Sequence, residues 1–163
     1  MAYSRSQIEA IAQKVREKYG NTNEKQINVV EIANKLGFDV YEADFENDRI
    51  AGKVIDDGNT RAIYINRHDI PQRKRFTVAH EIGHIVLHHP LSNERFEKID
   101  YRGANEKYDQ KEWEANQFAA SLLMPEDITR KLWEKLQDVD DFADVMGVSK
   151  AAAAIRLESL ELI

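Results

Sequence analysis

Cysteine is absent from this chain of 163 residues. That rules out a disulfide framework and any thiolate metal site, so a bound metal must rely on histidine and carboxylate ligands. It also fits a reducing compartment. The opening MAYSRSQIEAIAQ lacks the basic region and apolar stretch of a secretory signal. No segment approaches the roughly 18 consecutive apolar residues needed to span a bilayer. These absences point to a soluble, cytoplasmic protein with no membrane partner. An excess of basic residues is missing too: formal net charge is -6, and the 32% of charged residues interleave both signs. Such a surface lacks the footprint that holds a phosphate backbone, so direct nucleic-acid binding is not expected. There is no internal repeat and no low-complexity tract beyond residues 151–154.

What is present alternates between helical and strand periodicity. Ile8, Ile11, Ala12, Val15 and Tyr19 fall on one helical face behind a Ser6-to-Glu9 capping pattern, with Gly20 placed for a left-handed C-cap. Asn28 can cap a short second helix carrying Val29, Val30, Ala33 and Leu36, ended by Gly37. Phe38, Val40 and Tyr41 begin a strand, and residues 50–55 and 60–65 flank Asp56-Asp57-Gly58-Asn59, a turn suited to a hairpin. Two or three antiparallel strands follow. Pro71 suits the first turn of a long helix that turns Phe76, Ala79, Gly83 and Leu87 inward and stops before Pro90. Residues 91–108 show no sustained periodicity and read as a long polar loop, of a length that suits a lid. Asp109 caps the next helix, whose Ala115, Phe118, Ala119, Leu122 and Leu123 point inward until Met124-Pro125. Helices over 126–137, 140–146 and 149–160 complete the chain.

All five histidines lie between His68 and His89. His80 and His84 stand one helical turn apart with Cβ atoms roughly 6 Å from each other, so two imidazoles can share one small cation. Glu81 is rotated about 100° from His80, where its carboxylate can reach a water beside the metal as a general base. The His-Glu-x-x-His pattern arises by chance in a chain of this composition with probability of about 0.015. Ala79, Ile82, Gly83, Val86 and Leu87 surround it, and burying an unpartnered imidazole pair in such company costs stability. A catalytic zinc takes three protein ligands and keeps one position open. A third histidine six residues after His84 is excluded, because that position is Pro90. Glu112 and Glu114 are the carboxylate candidates. Glu112 shares a face with Ala115 and Ala119, which admit close helix approach, whereas Glu114 faces elsewhere, toward solvent or a rim. The plainer role for Glu112 is a capping box with Asp109.

Through Arg75-Phe76-Thr77-Val78-Ala79-His80-Glu81-Ile82-Gly83-His84-Ile85-Val86-Leu87-His88, and through the stretch from Glu112 to Phe118-Ala119-Ala120-Ser121-Leu122-Leu123-Met124-Pro125, the chain resembles the ImmA/IrrE family of metallo-endopeptidases. The likeness runs over about 29–160. It implies an α+β, gluzincin-like fold: a mostly helical domain with a small antiparallel sheet packed on the motif helix. It implies Zn2+ held by His80, His84 and Glu112, with Glu81 as the catalytic carboxylate. It further implies a protein substrate, a helix-turn-helix repressor encoded nearby in a mobile element, phage or stress system. On this reading residues 1–137 form the zinc metallopeptidase domain, including the N-terminal helices and hairpin. Residues 138–163 form a C-terminal helical extension packed on the same domain.

Other residues carry weaker signals. His88 lies one turn beyond His84 and suits either a supporting role or the helix C-terminal dipole, while His68 reads as ordinary. Tyr101, Arg102 and Tyr108 could steady an oxyanion but more simply pack. Residues 140–160 faintly suggest a helix-turn-helix with Lys150 and Arg156 as its basic residues, yet Ala151 to Ala154 offer nothing to base edges. An extended substrate is expected to add as a strand beside residues 60–65. Two rivals stand beside the peptidase reading: a zinc-containing antagonist that binds a repressor without cutting it, and a DNA-binding regulator.

Overall fold

The computed structural model describes residues 2–21, 23–89, 95–101 and 109–163. Helices α1 (Arg5–Tyr19) and α2 (Val29–Lys35) precede strands β1 (Asp39–Ala43), β2 (Ile50–Asp56) and β3 (Arg61–Asn66). Helix α3 (Pro71–His88), strand β4 (Phe96–Tyr101) and helix α4 (Gln110–Leu123) follow, then α5 (Glu126–Leu136), α6 (Val139–Met146) and α7 (Lys150–Ser159). This is the α+β architecture expected, with a four-stranded sheet in the order β1-β3-β2-β4.

The sheet departs from expectation in three respects. β1 joins parallel to β3, because α2 delivers the chain to the sheet's far edge rather than into a hairpin. A second departure lies within residues 91–108, where the six-residue strand β4 pairs antiparallel with β2. Its polar side chains hide strand periodicity, but β2 offers a free edge whose backbone groups need partners. Residues 90–94 and 102–108, with Arg102, Tyr108 and most of the proposed lid, lie outside the described residues. Third, β3 is interior, flanked by β1 and β2. Its backbone is already paired on both sides, so no peptide can add beside residues 60–65.

The helix punctuation is mostly as read. Asn28 and Asp109 cap α2 and α4, Pro71 occupies the first position of α3, and Gly37 and Gly147 take left-handed conformations. Helix α1 differs: its capping box is Ser4 with Gln7, two residues earlier than Ser6 and Glu9, and Gly20 is extended rather than left-handed. Glu9 is thereby free for another task. Its carboxylate accepts from Arg156 Nη2 at 2.7 and 3.0 Å and from Ser121 Oγ at 2.7 Å, joining α1 to α7 and α4. Arg156, 1% exposed, also donates through Nε to the Met124 carbonyl at 3.0 Å. A buried side chain so engaged cannot reach a duplex, which removes one of the two basic residues of the faint helix-turn-helix.

One hydrophobic core runs through these elements. Ile8, Ile32, Ile82, Phe118, Leu122 and Phe142 are fully buried in it, so α6 of the C-terminal segment shares the core of the motif helix. Arg75 fastens the N-terminal half of α3: its guanidinium donates to the carbonyls of Ile27 (3.0 Å) and Gly147 (2.6 Å). Among the described residues no helix is long and apolar enough to cross a membrane.

Candidate metal centre

Helix α3 runs between the sheet and α4, and two glycines set how close it comes to each. A Cβ on Gly83 would stand 3.2 Å from the Cα and carbonyl of Ala115 and from Phe118 Cβ, so the α3–α4 approach needs glycine there. A Cβ on Gly52 of β2 would fall 2.6 Å from Thr77 Cγ2 and 3.4 Å from Glu81 Oε1. The sheet therefore presses on α3 where Glu81 sits, and both neighbours confine the same turn of helix.

Within that confinement four side chains converge. His80, His84, Asp100 and Glu112 each offer a ligand atom within 4.8 Å of the others, a set able to hold a metal ion. Glu112 Oε1 is 2.8 Å from His84 Nε2, and its Oε2 is 3.1 Å from His80 Nε2. Asp109 caps α4 by accepting from the Glu112 N–H, but the Glu112 carboxylate spans the two imidazoles instead of completing a capping box. Glu81 is fully buried, and neither of its carboxylate oxygens has a hydrogen-bond donor. Asp100 Oδ2 is likewise buried without a hydrogen-bond partner. Polar atoms left so are expensive unless a cation or proton serves them.

The charge states follow from this crowding. Burial alone would depress His80, yet hydrogen bonds to Asp100 and Glu112 and their charges outweigh it and lift the imidazole to about 9. Burial, reinforced by the neighbouring Asp100, pushes Glu81 well above the usual carboxylate range. Burial also works to raise Asp100, but hydrogen bonding from Glu81, His80 and His84 prevails and holds it far below that range. Glu112 is lowered in the same way by the two histidines against its own desolvation.

A second layer orients the imidazoles. His80 Nδ1–H donates to Asn116 Oδ1 at 2.8 Å, turning Nε2 toward the carboxylates. Burial lowers His88, which keeps its ring neutral. Its Nε2–H donates to Glu114 Oε1 at 2.9 Å, so its Nδ1 can accept from His84 Nδ1–H, also at 2.9 Å. With Nδ1 engaged on His88, Nε2 is the His84 nitrogen that faces Glu112. Glu114 therefore does not turn to solvent as expected; it is 2% exposed and also accepts from the Tyr3 backbone N–H and Gln110. Facial reasoning about α3 and α4 omitted the start of α1, which covers the other side of α4.

The remaining candidates lie elsewhere. His68 is exposed and pairs with Asp44 at 2.7 Å, while His89 meets Asp56 at 2.9 Å. Tyr101 ends β4, half exposed. Asp100 was missed by sequence reasoning. The signal that could have found it is alternation of Lys98 and Asp100 on one face of a strand, legible only once β4 is recognised.

Known proteins resemble the chain along most of its length. An "Uncharacterized immunity region protein 2" of Bacillus phage phi105 is 30% identical over 149 residues, covering 91% of this chain and 88% of the phage protein. A solved structure of a Mycobacterium tuberculosis transcriptional regulator superposes with a TM-score of 0.69 at 14% identity, and at that identity the likeness concerns the fold. It covers 96% of this chain, which spans about half (47%) of the regulator's length. Residues 33–158, which contain all four converging side chains, match the IrrE N-terminal-like domain, a peptidase family, and the chain belongs to that family.

Proposed function

We propose that the chain is a zinc-dependent endopeptidase, with His80, His84 and Glu112 as metal ligands and Glu81 as general base. The observation that carries this reading is the separation of the donor atoms. The edge of a tetrahedron with zinc-like arms of 2.0–2.1 Å is about 3.3 Å. Glu112 stands 2.8 and 3.1 Å from the two Nε2 atoms, close to that value. Bound there, zinc would supply Lewis acidity, polarising a scissile carbonyl and making a water more acidic.

The chain's own residues do the rest. Asn116 and the His88–Glu114 pair hold the two imidazoles with Nε2 inward. Glu81 can take the proton of the attacking water and pass it to the leaving amine. Its dry position beside Gly52 excludes competing donors, so the carboxylate stays available as a base once a cation balances its charge. The tautomer relay matters because a histidine protonated at Nε2 is no ligand at all.

For substrate, we propose a helix-turn-helix repressor encoded nearby, supported by the immunity-region name of the phage relative. Residues 1–137 would then be the peptidase unit and residues 138–163 its packed extension, in the cytoplasm. A second reading, the non-cleaving antagonist, draws on the presence of Asp100 as a fourth donor, since metal sites with four protein ligands are commonly structural. Glu81→Gln separates the two. Incubated with the neighbouring repressor, the zinc-loaded variant should bind metal normally but lose cleavage by about 10²-fold or more. Undiminished fragment formation by mass analysis would remove Glu81 from the chemistry. Undiminished repressor inactivation without fragments would favour the antagonist.

A further inference from the structure

Asp100 enters the cluster from the sheet, not from either motif helix. Its partner in the β2–β4 register is Gly52, which has no side chain to stand between Asp100 and α3. Its Oδ1 lies 3.3 Å from His80 Nε2 and 3.3 Å from His84 Nε2. Those equal distances match the tetrahedral edge of about 3.3 Å, with Glu112 at another vertex. The side chain is 8% exposed, so water is not its natural partner. Near it the fully buried Glu81 has no donor on either oxygen.

We propose that Asp100 is a fourth protein ligand of the metal, closing the resting site until substrate or water displaces it. The inference rests on the reading that His80, His84 and Glu112 bind the metal, and it adds a property that reading lacks. Three protein ligands leave a coordination position open at rest; four fill it. A site closed in this way resists small metal-binding molecules and adventitious hydrolysis. It becomes competent when Asp100 withdraws or when the metal accepts a fifth ligand. The alternative, in which Asp100 only hydrogen-bonds the imidazoles and Glu81, leaves the metal's open position to solvent.

Cobalt(II) distinguishes the two, because its absorption follows the identity of its ligands and their displacement by an added one. The full chain, Asp100→Asn and Asp100→Ala are loaded with cobalt, titrated with acetohydroxamate, and measured separately for zinc affinity against a chromophoric chelator; circular dichroism confirms folding. A fourth ligand predicts an intense four-coordinate band in the parent that yields to acetohydroxamate only at high concentration. In both variants the band should shift as water replaces the carboxylate, acetohydroxamate should act at about tenfold lower concentration, and zinc should bind about tenfold or more weaker. Unchanged band and zinc affinity in the folded variants would overturn the proposal. So would a parent that takes acetohydroxamate as readily as an open site, a result that needs no variant to fold. Failure of the underlying reading looks different: the parent binds no metal, or Glu112→Gln binds it as tightly as the parent.

Discussion

Two clusters of ionisable groups among the described residues are built on opposite plans. Where α1, α4 and α7 meet, Arg156 and Glu9 are complementary. The guanidinium donates to the carboxylate and to the Met124 carbonyl, and Ser121 donates to Glu9, leaving Arg156 Nη1 as the unsatisfied atom. Arg16 is treated similarly, donating to the carbonyls of Leu122 (3.0 Å) and Glu24 (2.9 Å). At the α3–β4–α4 cluster, two carboxylates and two imidazoles bring their ligand atoms within 4.8 Å of one another, and Glu81 beside them has no donor on either oxygen. Burial of charge is therefore not what distinguishes a functional site. The distinction is whether the buried groups satisfy each other or require something the chain does not contain.

Substitutions can break that contrast. The largest effect should come from His80→Ala or His84→Ala, each of which removes a nitrogen donor. Elemental analysis should find almost no zinc in either purified variant, against about one ion per parent chain. Chelating the parent should also lower its melting temperature, since a ligand that binds only the folded state stabilises it. Neither variant should melt lower in chelator than without it.

Next come the two glutamates of α4. If Glu112 is the proposed ligand, Glu112→Gln should weaken zinc binding by more than about 100-fold, whereas Glu114→Gln disturbs only the relay through His88 and should cost about 10-fold. Equal losses would mean that the relay is as important as the ligand. A loss confined to Glu114→Gln would reverse the assignment.

Arg156→Ala sharpens the comparison from the other side. It strands Glu9 at the junction of three helices and should lower unfolding free energy by about 3 kcal/mol in denaturant melts. Zinc affinity of the folded fraction should stay at the parent value. The smallest effect belongs to His68→Ala, whose exposed pairing with Asp44 is far from either cluster. Zinc content and melting temperature should both match the parent, and a fall in zinc content would show that the histidine set is wider than proposed.

How much of this was legible in the sequence depended on the range of the interaction concerned. His80, Glu81, His84 and Glu112 announce themselves because helical periodicity is a local code, and Ala115 with Gly83 marks the faces that meet. Asn28, Pro71, Asp109 and Gly37 were equally readable, since caps act within a turn. Asp100 was hidden because its position depends on pairing with β2, and Phe96 to Tyr101 carries too many charges to look like a strand. The parallel placement of β1 was likewise set by a crossover, not by its residues. Glu114 misled for a related reason: its partners Tyr3 and His88 are distant in sequence, and a helical wheel shows directions without showing what lies there. Ser4 rather than Ser6 caps α1, and Glu9 meets Arg156 instead of closing a capping box.

The Glu9–Arg156 bridge also has a consequence for synthesis. A chain leaves the ribosome N-terminus first, so α1 emerges with Glu9 long before its cation has been translated, and the two are separated by 147 positions. Local helices can form meanwhile, but the junction of α1, α4 and α7 cannot close until codon 156 has been read and its residue has cleared the exit tunnel. The nascent chain thus carries His80, His84, Asp100 and Glu112 well before it can lock the helix junction behind α4, and that closure is timed by an arginine translated after all four.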